Sequence, residues 1–273
     1  MIVDAFTYNG EDDLLAIRLE LLNPFVDRFV IVEADKTFTG LSKPQKFNLN
    51  NFRSFSSKIK YYFIDNLSAS PTSAWENERL QRDSLIEGLN DLADDDIFIL
   101  SDVDEIPNPL AIAEFSSKKC ILAELSQGLY FYYLNNRAYD KSGLPVKWIK
   151  SVIVKYGNFK RFYNSLEDLR MNRHYGPFRF FPKFLIKRGR VTIENGGWHF
   201  SYLMSPEQII DKLKSFSHSE VNRPEIANIE NIENSIRLGK DFWGHGHCFK
   251  LEKFMDFPDE ILNMPEFKRW YFP

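Results

Sequence analysis

Cysteine is scarce in this chain: Cys120 and Cys248 are the only two among 273 residues. Two cysteines cannot make a disulfide framework, and their rarity suits a reducing compartment. An excess of charge of one sign is also lacking. The formal net charge is −3, which excludes the strong basic surplus expected where nucleic acid is the main partner. The apolar runs fall well short of a membrane span. The opening "MIVDAFTYNGEDD" has neither a basic n-region nor an apolar h-region, so no signal peptide is expected. Internal repeats and low-complexity tracts are missing as well.

Apolar and aromatic residues are plentiful. At 44% hydrophobic, 273 residues suffice for one large core. With 25 Phe and 12 Tyr, most rings are read as core and the remainder as candidates to line a sugar or nucleotide site.

"MIVDAF" reads as a first strand, and Asn9-Gly10 turns the chain. Glu11, Asp12 and Asp13 suit the positive end of a helix dipole. Leu14, Ile17 and Leu21 follow at helical spacing, and Pro24 ends that helix. Arg28 to Ala34 is a second strand, apolar enough to be buried on both faces. Lys58 to Asp65 is a third. Ser73 and Glu76 have capping-box spacing, so a helix is expected from there to about Leu92. Ile97 to Leu100 is a fourth strand. This order of strands and helices is that of an α/β protein with a parallel sheet, which binds ligands beyond the carboxyl ends of its strands.

Further on, Cys120 to Asn135 reads as one or two strands. Val191 to Glu194 reads as another, closed by a Gly196-Gly197 turn. Ser205-Pro206-Glu207-Gln208 starts a helix. A last long helix, opened by Pro224, carries the stripe Ile226, Ile229, Ile232 and Ile236 and closes near Gly239. With no clear linker, the expected organisation is one domain over 1–273. Its first half would be 1–110 and its second, with the C-terminal helices, 111–273.

The fourth strand runs into acid: "DDDIFILSDVDEIPNP", residues 94–109. In an extended stretch Asp102 and Asp104 project to one side while Val103 faces the other. Two carboxylates on one side offer hard oxygen ligands for Mg²⁺ or Mn²⁺ and leave open positions for substrate phosphates. The competing reading is a solvated acidic turn. On the preceding helix, Arg79 and Arg82 share a face at i, i+3 spacing and suit a donor phosphate, unless Arg79 pairs with Asp83 instead. In "GHGHC", His245, His247 and Cys248 lie too close together for structural-zinc spacing.

An Asp-x-Asp after a fourth strand resembles the nucleotide-sugar-dependent glycosyltransferases of the A-type fold, a Rossmann-like mixed sheet flanked by helices. The opening "DAFTYNGEDDLLAIRLELLNPFVDRFVIVEADKTFTG" resembles that of glycosyltransferase family 17. "DDDIFILSDVDEIPNP", "GGWHFSYLMSPEQIIDKLKSFSH" and "NSIRLGKDFWGHG" carry the same resemblance, so it spans nearly the whole chain.

The resemblance implies an inverting enzyme. It would use Mn²⁺ or Mg²⁺ and a UDP-sugar, UDP-N-acetylglucosamine foremost, to build a β linkage on a glycan or lipid-linked saccharide acceptor. It makes Asp102 and Asp104 ligands of metal and diphosphate, with His199 completing the shell. Glu33, Lys36 and Thr37 would meet the nucleoside, and Phe6 would stack on uracil or pack in the core. Trp198 would stack on a sugar or pack in the core, and His218 and Glu220 would bond the acceptor or cap a helix. The general base stays open among Glu194, Glu124 and Glu105, the last also read as a carboxylate supporting the metal site.

A bacterial-type relative of this kind is expected in the cytoplasm, with peripheral contact at the inner membrane face. Lys147, Lys150, Lys155, Lys160 and Arg161 would assist there or form a solvated face. Two rival readings are a non-catalytic carbohydrate-binding protein and a sugar nucleotidyltransferase. The second needs a glycine-rich basic phosphate loop, which the N-terminus lacks.

Overall fold

The computed structural model describes residues 1–172, 189–215, 226–242, 246–253 and 257–272. Four parallel strands form one wing of its sheet, in the order β4 (Ile97–Asp102), β1 (Ile2–Thr7), β2 (Arg28–Ala34), β3 (Ile59–Ile64). Beyond β4 the sheet turns mixed. β9 (Val152–Lys155) joins β4 antiparallel, followed by β6 (Leu122–Phe131), β7 (Asn136–Tyr139) and β11 (Cys248–Leu251). The long β10 (Arg190–Ser201) runs parallel to β6 and antiparallel to the short β5 (Glu105–Pro107), while β8 (Lys147–Trp148) edges β6. The sheet thus takes strands from both sides of residue 110.

The parallel strands alternate between two cores, as a pleated strand must. Phe29, Ile31 and Ile99 face α1 (Asp12–Leu22), α3 (Pro109–Ser117) and a 3₁₀ turn at Leu49–Phe55. Val30, Val32, Phe98 and Leu100 face the other side. There they meet Leu85 and Leu89, α4 (Tyr156–Phe162) and the start of α5 (Leu166–Arg170). Helices on both faces of a mixed sheet are the α/β architecture expected. The last helices, α8 (Asp259–Leu262) and α9 (Pro265–Trp270), pack on α1 with Trp198 and Phe200.

Four local expectations are corrected. The helix begun at Ser73, α2 (Ala74–Asp83), does not reach Leu92 but tightens into a 3₁₀ turn at Ser84–Gly88. Gly88 lies against Val30, where a Cβ would collide with the valine side chain. Ser73 does not cap the helix through its side chain, and Glu76 bonds Thr72 instead. Gly196-Gly197 is not a turn but an irregularity within one continuous strand, where the β10–β6 register shifts between Ile193 and Gly197. Gly196 lies against the Leu125 backbone, and Gly197 takes φ +133°. The last long helix starts later than Ile226: α7 (Ile229–Leu238) is capped by the Asn228 side chain and ends at Gly239 in the left-handed region.

Candidate active site

Where the parallel strands end, a cleft of about 1290 Å³ opens. Thr7 to Asn9 at the end of β1, Lys36 to Phe38 beyond β2 and Asp102 to Glu105 at the end of β4 line one side. Trp148, Arg170, His199, Lys212 and Asp241 approach from the rest of the chain.

Asp102 is the last residue of β4, in register with Thr7. Its Oδ1 accepts from Thr7 Oγ1 at 3.1 Å and Arg82 Nη2 at 3.2 Å, and its Oδ2 from Arg170 Nη2 at 2.7 Å. Burial pushes its carboxyl pKa up, but Arg170 and Arg82 outweigh that and hold it below the usual range. Val103 packs its side chain in the core beneath. Asp104 Oδ2 lies 3.4 Å from Lys212 Nζ, and its Oδ1 lies 3.7 Å from His199 Nε2. Burial again opposes ionisation, and Lys212 and His199 reverse it, so Asp104 too is held low.

Glu105 is 1% exposed and its oxygens are fully engaged. Oε1 accepts from Trp148 Nε1 at 2.5 Å and Arg170 Nη2 at 2.8 Å; Oε2 accepts from Arg170 Nη1 at 2.7 Å, Ser151 Oγ at 2.9 Å and the Asp102 N–H at 3.1 Å. Burial would raise its pKa, yet chiefly Arg170 brings it down to about 2. A carboxylate so saturated supports its neighbours and is ill placed to take a proton.

Three cations therefore stand among three acids. Arg82 projects from α2 and also bonds Glu78 at 3.0 Å and Glu167. Arg170 ends α5 and bridges Asp102 and Glu105. Lys212 comes from α6 (Pro206–Ser215), with its ammonium 5.3 Å from the Tyr202 ring centroid. His199 sits on β10 opposite Glu105 of β5, with the Trp148 ring 4.5 Å away by centroids. Its Nδ1 is buried and has no hydrogen-bond partner among the described residues.

Does this set fit a divalent cation? Among the described residues no group of three or more His, Cys, Asp or Glu is placed to hold a metal ion. The donor chemistry fits best at Asp104 and His199, a carboxylate and an imidazole that already face each other. Asp102 fits less directly, because both of its oxygens accept from arginine.

The other candidate residues divide. Thr37, Arg79 and Arg82 line the cleft. Arg79 is exposed and pairs with Asp83 at 3.4 Å. Phe6 is buried, with the Arg18 guanidinium 4.2 Å from its ring centroid. Glu33 is buried and accepts from the Lys46 and Phe47 N–H groups and the Tyr61 hydroxyl. Trp198 packs on Phe257 at 4.3 Å. Glu124 pairs with Arg190 and Glu194 with Lys147, and neither lines the cleft. His218 and Glu220 lie outside the described residues. Of the basic residues read as a membrane face, Lys147, Lys155 and Lys160 are paired to Glu194, Asp95 and Asp94. Among the described residues no helix is long and apolar enough to cross a membrane.

Arg170, Lys212 and Trp148 were not singled out from the sequence. Lys212 carried a faint signal, three residues after the buried Ile209 on one helix face. Nothing local marks Arg170 or Trp148.

Comparison with known proteins adds the following. The model of glycosyltransferase family 17 matches residues 1–135. The human β-1,4-mannosyl-glycoprotein 4-β-N-acetylglucosaminyltransferase is 26% identical over 271 residues, which cover 89% of this chain and 49% of that protein. The rat protein of the same name is equally similar, with 48% of its length covered. The chain thus spans about half the length of these curated relatives. Among solved structures, a 4-diphosphocytidyl-2C-methyl-D-erythritol synthase superposes with TM-score 0.39 and 12% identity, covering 76% of this chain and 94% of that one. The 2-C-methyl-D-erythritol 4-phosphate cytidylyltransferase of Francisella tularensis gives TM-score 0.34 and 11% identity, covering 71% and 89%. The resemblance carried by the opening stretch and the Asp-x-Asp is thus met by the model of glycosyltransferase family 17 over residues 1–135, and by similarity to the two N-acetylglucosaminyltransferases over 89% of the chain.

Proposed function

We propose that this protein is an inverting glycosyltransferase that takes a sugar, N-acetylglucosamine foremost, from a UDP-sugar and joins it by a β linkage to a glycan hydroxyl. The observation that carries this reading is the pairing of Asp102 and Asp104 with Arg82, Arg170 and Lys212 in one cleft at the carboxyl ends of parallel strands. A diphosphate arriving there meets three cations already gathered and largely withdrawn from water, where charge–charge interactions are strengthened. Its oxygens would draw Lys212 and the arginines from the carboxylates.

Asp104 and His199 would then be released to hold Mn²⁺ or Mg²⁺. When bound, the cation neutralises charge that builds on the departing diphosphate. The remaining steps fall to the chain. Thr7 to Asn9 and Lys36 to Phe38 flank the nucleoside, because they lie where β1 and β2 deliver their ends. Arg170 and Lys212 stabilise the leaving UDP. Trp148 supplies an apolar wall beside His199 for the sugar.

The acceptor hydroxyl must lose a proton as it attacks the anomeric carbon. Glu105 is saturated, and Glu124 and Glu194 stand outside the cleft. Among the described carboxylates lining the cleft, Asp241 alone belongs to the C-terminal half without being part of the arginine cluster. It accepts the His247 N–H at 2.7 Å, which leaves its carboxylate fixed in place. We assign it the proton-accepting role.

The test is UDP release from a panel of UDP-sugars, with Mn²⁺ or with chelator. One donor should be cleaved only with metal. Asp241→Asn should lower transfer to acceptor about a hundredfold or more while UDP binding stays near wild type. Cleavage that ignores chelator would contradict the metal; an unchanged Asp241→Asn rate would remove Asp241.

A further inference from the structure

Beneath the acidic loop lies a guanidinium that the reaction itself never meets. Arg18, on α1, is wholly buried and does not line the cleft. Its Nε and Nη2 form a two-point fork on Asp4 of β1, at 2.8 and 2.7 Å, and Nη2 also donates to Ser101 Oγ at 2.5 Å. Nη1 reaches three main-chain carbonyls of the loop: Asp102 at 2.8 Å, Val103 at 3.3 Å and Glu105 at 3.0 Å.

Three carbonyl oxygens converging on one point repel one another unless a donor stands between them. Here that donor is a cation anchored to Asp4 of β1, the strand between β4 and β2. The loop reverses around it, so that its carbonyls face inward and the Asp102 and Asp104 side chains face the cleft. We infer that Arg18 is a positioning residue: its fork on Asp4 sets the loop conformation that aims both carboxylates. The consequence for donor binding rests on the function proposed above; the hold on the loop does not. A lysine cannot copy it, since an ammonium offers no planar fork to satisfy Asp4 and the carbonyls together.

A purely structural role for the buried pair is the alternative, and it is separable. Replacing both members of a buried ion pair with apolar residues often leaves stability unchanged or better, whereas removing one is costly. Two variants are compared with wild type, Arg18→Lys and the double variant Asp4→Leu/Arg18→Met. Hydrogen exchange is read for amides 101–105 against those of β1 and β2, together with UDP affinity in Mn²⁺.

The inference expects both variants to fold. Loop exchange should quicken by about tenfold or more relative to the strands, and UDP affinity should fall by about tenfold, the usual effect of losing a supporting partner. Loop exchange equal to wild type, exchange quickened uniformly through the core, or quick exchange with undiminished UDP affinity would overturn it. So would failure of both variants to fold, because Arg18 would then hold the fold rather than the loop. If wild type binds no UDP, the proposed function fails, and the exchange comparison alone decides for or against Arg18.

Discussion

One guanidinium, that of Arg170, satisfies Asp102 and Glu105 together, and its removal would strand two carboxylates at once. The linkage with pH follows. Glu105 titrates at about 2 in the folded protein against an ordinary 4.5, and Asp102 and Asp104 are shifted the same way. A depressed carboxyl contributes stability that is present above its unfolded pKa and lost as pH falls through the folded one. The thermal unfolding midpoint should therefore be flat from about pH 7 to 5 and fall between about 4.5 and about 2. Glu105→Gln should be less stable at pH 7 by about 3 kcal/mol, because it breaks a buried pair from one side, and its acid loss should be shallower. At the same scale, Lys212→Met should weaken UDP binding in Mn²⁺ about tenfold, the worth of one charge-assisted bond. Titration calorimetry reads it directly, and an unchanged affinity would remove Lys212 from the diphosphate.

At the scale of elements, the site depends on how β10 delivers His199. Gly197 holds φ +133°, and a Cβ there would run into the Ile106 carbonyl oxygen across the β10–β5 pairing. Gly197→Ala should cost about 3 kcal/mol, from strained backbone and forced displacement, and urea unfolding would show it. The same strand shows what a sequence discloses. Runs such as Arg28 to Ala34 announce buried parallel strands because both faces are apolar. Asp102 and Asp104 stand out because two carboxylates projecting to one side follow such a run, where an α/β sheet binds its ligands. The Gly-Gly pair misled because a bulge and a turn draw on the same backbone freedom. The end of α2 at Asp83 carries no local signal, and the contact of Gly88 with Val30 just beyond it joins residues distant in sequence. Arg170, Trp148 and Lys212 reach the cleft only through tertiary packing, and no local spacing encodes that.

For the whole molecule, a net charge of −3 conceals a strongly paired interior. Around the acidic loop cations and anions interleave, so that Asp102, Asp104 and Glu105 each face a counter-charge until a ligand exchanges them. The central claim is that the ligand is a UDP-sugar diphosphate. Calorimetric titration of UDP into the purified protein, with Mn²⁺ and then with chelator, for wild type and Asp104→Ala, tests it most directly. The account predicts binding to wild type that requires the cation and disappears in Asp104→Ala. Absence of UDP binding to the wild type in Mn²⁺, or equal binding by Asp104→Ala, would contradict it.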